Sequence, residues 1–219
     1  MYPASSAIES AMDGSTITTW MALSDSAIRA ERDHLVQLDS AIGDGDHGIN
    51  MTRGFDAVVR ALAAEDAAPP GKLLTLAGKT LVSTVGGASG PLWGSALRRA
   101  GRVLGEAPSF DGPALVQALQ AAIAGVVDLG AAQLGDKTMV DALVPAVAAL
   151  KTGLDAGQPL PAALHSATSA AEQGMRATVP MQARKGRASY LGERSVGHQD
   201  PGATSAALII RALEQAIAR

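Results

Sequence analysis

Three aspartates, Asp39, Asp44 and Asp46, fall in a stretch of only eight residues. They belong to a glycine-rich segment, residues 38–54, which reads LDSAIGDGDHGINMTRG. The glycines between them allow backbone conformations that other residues rarely adopt. Carboxylates this close together repel one another unless a cation lies between them. Carboxylate oxygens suit hard ions, and Mg²⁺ is usually held by one or two carboxylates together with substrate phosphates. The segment therefore predicts a magnesium–phosphate site.

Two familiar motifs fit this segment poorly. GDGDHG matches GxGxxG, but a dinucleotide-binding fingerprint follows a strand, and the preceding residues have helical spacing. An EF-hand loop would need oxygen-bearing side chains where Gly48 and Phe55 stand. A solvated loop whose aspartates only cap the next helix stays open as an alternative. For His47, two roles stay open: a hydrogen bond to a phosphate, or one to Asp44 or Asp46.

A second glycine-rich turn, VGGASGP at residues 85–91, precedes a predicted helix. Gly86, Gly87 and Gly90 can bring backbone N–H groups close to a ligand, and Ser89 adds a hydroxyl. A helix N-terminus with free N–H groups favours anions. The turn therefore predicts a phosphate contact, with a plain turn between two helices as the alternative.

The longest irregular stretch is residues 180–202, and long loops in compact domains are usually functional or disordered. It carries Arg184, Lys185, Arg187 and Arg194. A guanidinium group can stabilise the charge on a transferring phosphoryl group, although such a loop can also be merely solvated. The sequence contains neither a Ser-His-Asp pattern nor HExxH. The lack of an evident general base suits phosphoryl transfer, in which positioning and charge neutralisation dominate.

These candidate residues lie at the ends of segments with helical spacing of apolar residues. We predict a first helix from a cap at Ser15 or Thr16 to about Asp39, and a last helix capped by Asp200. The helices between them are predicted at about residues 50–64, 72–83, 91–104, 113–133, 138–156 and 161–179. No segment shows the alternation of a strand. The sequence thus predicts an all-α, single-domain bundle of about eight antiparallel helices (residues 15–219), preceded by a flexible N-terminal extension (residues 1–14).

Composition excludes several classes of function. The 219 residues are 47% hydrophobic but only 3% aromatic, so a core of Ala, Leu, Val and Ile is expected. The net charge of −3, without a basic run, argues against nucleic-acid binding. We expect no membrane span, because no apolar stretch approaches ~20 residues. The absence of cysteine excludes disulfides and Cys metal sites, and the N-terminal residues lack a signal-peptide pattern, so a cytoplasmic location is expected.

Four segments together resemble one family. They are LDSAIGDGDHGINM, STVGGASGPLWG, LGDKTMVDAL and KGRASYLGERSVGHQDPGA, in this order along the chain. In combination they resemble the nucleotide-binding L subunit, or L domain, of dihydroxyacetone kinases, over about residues 15–219. The resemblance implies a barrel of eight antiparallel helices with ADP or ATP bound at one end.

The resemblance also implies roles for individual residues. Asp39, Asp44 and Asp46 would hold two Mg²⁺ ions that bridge the nucleotide phosphates, and Arg187 would act beside them in catalysis. Other nucleotide contacts are implied for His47, Gly48, Ile49 and Asn50 at the phosphates, Ala88 and Ser89 at a second phosphate contact, Gly130 and Met139 at the adenine or ribose, and Asp200, Pro201 and Gly202 at the rim. Ala88 stands where the family pattern leads us to expect a hydroxyl residue.

The implied activity is a phosphotransferase that works with other proteins. A separate K-type subunit would carry dihydroxyacetone, and a phosphohistidine protein of the phosphotransferase system would rephosphorylate bound ADP. We also expect a homodimer. Two alternatives remain: the L subunit of a kinase that uses free ATP on another small ketose such as erythrulose, or a non-catalytic, nucleotide-dependent regulator of a partner such as a transcription regulator.

Overall fold

The computed structural model describes residues 11–65 and 67–218. Within these residues the chain forms nine α-helices, one 3-10 helix (Arg187–Ser195) and two short strands. The α-helices are α1 (Gly14–Ala30), α2 (Arg32–Ile42), α3 (His47–Leu62), α4 (Pro70–Thr84), α5 (Ser89–Leu104), α6 (Gly112–Gly130), α7 (Val140–Asp155), α8 (Leu160–Ala177) and α9 (Pro201–Ile217). The strands β1 (Met12–Asp13) and β2 (Ser109–Phe110) pair antiparallel.

Eight of the helices form a closed ring. α1 packs against α3, and the contacts continue in chain order from α3 to α9, which packs back against α1. The buried indole N–H of Trp20 donates to the carbonyl oxygen of Ile209 at 2.9 Å and so ties α1 to α9. α2 lies against α3 and α9. Because the connections are mostly short, neighbours in the ring run antiparallel. The prediction of an all-α, single-domain barrel is confirmed.

The first predicted helix is in fact two helices, so the described residues hold nine rather than eight. The chain bends at Glu31, which separates α1 from α2. The predicted cap at Ser15 or Thr16 is also wrong, because Asp13 is the cap and its carboxylate accepts from the N–H of Ser15 at 2.8 Å. Residues 1–10 of the predicted extension lie outside the described residues. The end of that extension forms β1 and the start of α1.

Glycines allow α4 and α5 to touch along their backbones. A Cβ atom on Gly78 would lie 2.8 Å from the carbonyl oxygen of Gly94, and one on Gly94 would lie 2.8 Å from that of Gly78. A Cβ on Gly101 would likewise lie 2.5 Å from the carbonyl oxygen of Gly71. Larger side chains would force the helices apart. This close contact holds the glycine-rich turn between α4 and α5 at one end of the barrel.

α6 has the length and composition of a membrane-spanning helix, with 19 residues and a mean hydropathy of 1.4. The expectation that no apolar stretch approaches ~20 residues is therefore wrong for α6. Buried helices of globular folds share these properties. α6 packs between α5 and α7 in the ring, and 44% of its apolar window is buried. Its composition is thus accounted for by its place in the barrel.

Candidate functional site

One end of the barrel holds a cavity of about 360 Å³. The N-terminal turns of three helices line it, through His47 of α3, Ser89 of α5 and Pro201 of α9. The first N–H groups of a helix have no partner within the helix, and its dipole places partial positive charge there. Three such ends at one cavity favour an anionic ligand such as a phosphate.

The three predicted aspartates meet in this cavity. Carboxylate oxygens of Asp39, Asp44 and Asp46 all lie within 4.8 Å of one another. Oδ2 of Asp39, in the last turn of α2, accepts from the N–H groups of Asp46 at 2.9 Å and His47 at 3.1 Å. A Cβ atom on Gly43 would lie 2.1 Å from Asp39 Oδ1, so only glycine fits beside this carboxylate. The resulting set of oxygen donors fits a hard cation such as Mg²⁺.

Arg187 reaches the acidic cluster from the start of the 3-10 helix. Its Nη2 lies 3.1 Å from Oδ2 of Asp44, and the two side chains are 69% and 38% exposed, respectively. Exposed ion pairs contribute little free energy, so a phosphate or a cation can replace this contact at small cost. The structure therefore brings Arg187 close to the acidic cluster.

His47 is buried, and each of its two ring nitrogens lies within hydrogen-bonding distance of a serine hydroxyl group. Nε2 lies 3.0 Å from Ser205 Oγ, and Nδ1 lies 3.3 Å from Ser89 Oγ. Ser205 Oγ donates to the carbonyl oxygen of Gly202, so it accepts from Nε2–H, and Nδ1 is left to accept from Ser89. Burial lowers the pKa of His47 despite the charges of nearby aspartates. A neutral ring thus links α3, α5 and α9, and serines hold it rather than Asp44 or Asp46.

The turn between α4 and α5 is fixed against α3. Oδ1 of the buried Asn50 accepts from Arg53 at 2.8 Å, and Nε of Arg53 donates to the carbonyl oxygen of Thr84 at 2.8 Å. A Cβ atom on Gly86 would lie 3.3 Å from the Asn50 amide. Ala88 is the last residue of this turn and Ser89 the first residue of α5, and both line the cavity.

Two of the predicted phosphate contacts do not line the cavity. Gly48 packs against α2, where a Cβ atom would lie 2.2 Å from the carbonyl oxygen of Arg32. Ile49 is 53% exposed. Because α3 turns through about 100° per residue, the residues between His47 and Asn50 face away from the cavity that those two line.

An apolar part of the cavity wall completes the site. The predicted residues Gly130 and Met139 line the cavity. Three apolar residues that sequence reasoning missed also line it: Leu92, Val126 and Leu129. Apolar residues at helical spacing normally indicate core, so no signal in the sequence distinguishes these three from the rest of their helices. The wall offers a surface suited to a flat, uncharged ring.

Asp200 caps α9, as predicted. It lines the cavity together with Pro201 and Gly202, the first two residues of α9. Its Oδ2 accepts from the N–H of Ala203 at 2.6 Å, and its own N–H donates to Thr178 Oγ1 at 3.0 Å. Burial raises the pKa of this carboxyl group from 3.8 to about 7. The group therefore gains a proton near neutral pH.

This raised pKa predicts a pH-dependent stability. The folded chain binds the Asp200 proton more tightly than the unfolded chain, so Asp200 lowers the free energy of unfolding as pH rises from about 4 to about 7. Over this pH range, the free energy of unfolding of the wild type should fall, relative to that of Asp200→Asn, by about 1.4 kcal/mol for each pKa unit of the shift. Urea unfolding in EDTA at several pH values measures this difference.

Asp111→Asn is the matched control, because Asp111 caps α6 through the same kind of bond, to the N–H of Ala114 at 2.9 Å, but is exposed. The free energy of unfolding of Asp111→Asn should change with pH over this range in the same way as that of the wild type. If Asp200→Asn also runs parallel to the wild type, the carboxyl group has an ordinary pKa.

Comparisons with known proteins agree with this geometry. Residues 41–215 match the DAK2 domain family. The chain is 45% identical over 197 residues to the ADP-binding subunit DhaL of the PEP-dependent dihydroxyacetone kinase of Escherichia coli, covering 90% of this chain and 94% of that subunit. It is 42% identical over 189 residues to the L-erythrulose 1-kinase of Mycolicibacterium smegmatis, covering 84% of this chain but 32% of that kinase.

A solved structure shows the same fold. The dihydroxyacetone kinase of C. freundii, crystallised in complex with AMP-PNP and Mg²⁺, superposes with a TM-score of 0.72 at 26% sequence identity. The match covers 98% of this chain and 36% of that one, so the chain corresponds to about a third of the longer kinase.

Proposed function

The chain belongs to the DAK2 domain family, and we propose that it is the nucleotide-binding phosphotransfer subunit of a kinase for dihydroxyacetone or another small ketose. One observation carries this proposal: three carboxylates within 4.8 Å of one another share a cavity with the N-termini of three helices. Carboxylates hold a divalent cation and helix N-termini hold phosphate. The cavity thus supplies both parts of a site for a magnesium–nucleotide.

Asp39, Asp44 and Asp46 would hold the metal, for which we expect two Mg²⁺ ions. Bound Mg²⁺ neutralises charge on phosphoryl oxygens. Asp39 is oriented in advance by its two backbone N–H donors, so its carboxylate needs little rearrangement to act as a ligand. Arg187, beside Asp44, is placed to stabilise the charge that develops on the transferred phosphoryl group.

The remaining predicted contacts divide between phosphate and nucleoside. Ser89 and the backbone at Ala88 lie at the N-terminus of α5 and are suited to phosphate. Gly130 and Met139, with the apolar wall beside them, are suited to the adenine or ribose. The start of α9 would close the rim. These assignments give each part of an ADP or ATP molecule a chemically matched part of the cavity.

The ketose and the phosphoryl donor would come from other proteins. We propose that a K-type subunit carries the ketose, as the sequence resemblance implies. The similarity to a PEP-dependent subunit supports a donor charged by phosphoenolpyruvate, such as a phosphohistidine protein of the phosphotransferase system. The similarity to an erythrulose kinase keeps free ATP and another small ketose as the alternative.

Reconstitution tests this proposal. The purified chain is mixed with ADP, Mg²⁺ and a dihydroxyacetone-binding K-type subunit, and formation of the phosphorylated ketose is followed with either a phosphohistidine protein charged by phosphoenolpyruvate or ATP as donor. Turnover with the phosphohistidine protein is the expected result, and turnover with ATP alone would select the alternative. Turnover that is the same without the chain would contradict the proposal.

A further inference from the structure

Lys137 is a buried lysine outside the acidic cluster, and it is 1% exposed. Five backbone carbonyl oxygens surround its ammonium group. They belong to Thr178 at 2.9 Å, Val179 at 3.5 Å, Met181 at 3.1 Å, Ser195 at 2.8 Å and His198. An ammonium has three N–H donors, so five oxygens form a shell like that around a metal ion rather than a set of ordinary hydrogen bonds.

The five carbonyl groups come from two stretches, residues 178–181 and 195–198. These stretches flank the segment that contains Lys185 and Arg187, two cations that line the cavity. Because both stretches meet at one ammonium group, they form the closed base of a loop that carries the two cations. Lys137 also lines the cavity.

Other bonds close the same base. The N–H of Gly197 donates to the carbonyl oxygen of Val179 at 2.8 Å, and the N–H of Ala183 donates to Ser195 Oγ at 2.9 Å. The N–H of Arg184 donates to the carbonyl oxygen of Asp136 at 3.1 Å, which joins the loop to the residue before Lys137. These three bonds add to the ammonium contacts that hold the base of the loop together.

A positive charge is needed at this base. Carbonyl oxygens that are buried without a donor cost free energy, and here several converge on one point. Burial of the ammonium group lowers the pKa of Lys137, which shows that its own desolvation is unfavourable. An uncharged side chain of similar length would avoid that desolvation but remove one donor from each of the five carbonyl oxygens. Only those of Thr178 and Val179 would keep a backbone N–H donor among the described turn and loop bonds.

We propose that Lys137 is a positioning residue whose ammonium group serves as a built-in cation, fixing the base of residues 178–198 so that Arg187 reaches the acidic cluster. Its effect on phosphoryl transfer rests on the proposed function, whereas its effect on the loop does not. Lys137 acts through Arg187, which lies 3.1 Å from Asp44.

Hydrogen–deuterium exchange tests the effect on the loop without any nucleotide. In Lys137→Met, amide exchange at Ala183, Arg184 and Gly197 should accelerate at least about tenfold, with the barrel helices unchanged, because the loop can then open locally. Lys151→Met is the control, since Lys151 is exposed and pairs with the exposed Asp155. Unchanged exchange in Lys137→Met, or unprotected amides at these positions in the wild type, would overturn the proposal.

A double-mutant cycle tests the route through Arg187. Lys137→Met should slow phosphoryl transfer by about 10–100-fold, the usual cost of losing a supporting partner. In an Arg187→Met background the same change should add little, because the two residues act as one unit. Fully additive losses would mean that Lys137 supports the fold in general, and they would overturn the proposal.

Chemical rescue covers the case in which Lys137→Met does not fold. Lys137→Ala removes the atoms of n-propylammonium, so that ion should restore protection of residues 178–198, either in the folded variant or on refolding. Tetramethylammonium carries the same charge but has no N–H donors, and it should not restore protection. Equal effects of the two ions would overturn the proposal. Slow exchange in the loop of a chain that binds no nucleotide would instead contradict only the proposed function.

Discussion

Replacing Asp44 by asparagine is expected to weaken magnesium-dependent ADP binding at least about 100-fold. Loss of a residue that only hydrogen-bonds to a metal ligand already lowers metal affinity about 10–100-fold. The carboxylate of Asp44 lies within 4.8 Å of those of Asp39 and Asp46 and is placed to share a cation with them. Isothermal titration calorimetry with Mg²⁺ and ADP measures the loss. The fold should be unaffected, because Asp44 is exposed and so is its ion pair with Arg187.

Asp155→Asn serves as the control for this variant. Asp155 is an exposed aspartate at the C-terminal end of α7, whereas Met139, which precedes the N-terminal end of that helix, lines the cavity. Its ADP affinity should equal that of the wild type. In EDTA, Asp44→Asn should be at least as stable as the wild type, because removing one of three carboxylates lowers the charge repulsion within the cluster. Normal magnesium–ADP binding by Asp44→Asn would mean that the acidic cluster is not the metal site.

Arg187→Met should lower the rate of phosphoryl transfer strongly and should affect nucleotide binding little. Loss of a group that stabilises charge in the transition state costs about 10²–10³-fold in rate. The affinity for magnesium–ADP should change far less, because the contact between Arg187 and Asp44 is an exposed ion pair. Reconstituted turnover and calorimetry on the same preparation separate the two quantities.

Arg194→Met is the matched control, since Arg194 is an exposed arginine of the same 3-10 helix that does not line the cavity. It should turn over at nearly the wild-type rate. Equal losses in the two variants would show that the general positive charge of the loop matters and that Arg187 has no specific role.

The acidic cluster could be predicted because its members are close along the chain. Asp39 lies in the last turn of α2, Asp46 directly precedes α3, and a short glycine-rich turn joins the two helices. Such a turn keeps its side chains together in almost any fold. The division of the first helix at Glu31 could not be predicted, because the sequence there has neither the glycine nor the proline that usually marks a helix end.

Long-range contacts account for what sequence reasoning missed. Ser205 holds the ring of His47, although the two residues are 158 positions apart. Lys137 lies in a segment that reads as a plain turn, and only the folded chain shows that carbonyl groups at least 41 positions away surround it. A single serine or lysine has no pattern in the sequence. The role expected of Arg187 depends on the family resemblance, since a charged loop by itself is usually just solvated.

The most direct test of the central claim is titration of the wild-type chain with ADP, once with Mg²⁺ and once with EDTA. The three carboxylates repel a nucleotide's phosphates unless a cation lies between them, so binding should require the metal. We predict saturable binding with Mg²⁺ and none measurable in EDTA. Equal binding in both conditions, or none in either, would contradict the assignment of Asp39, Asp44 and Asp46 as the centre of a magnesium–nucleotide site.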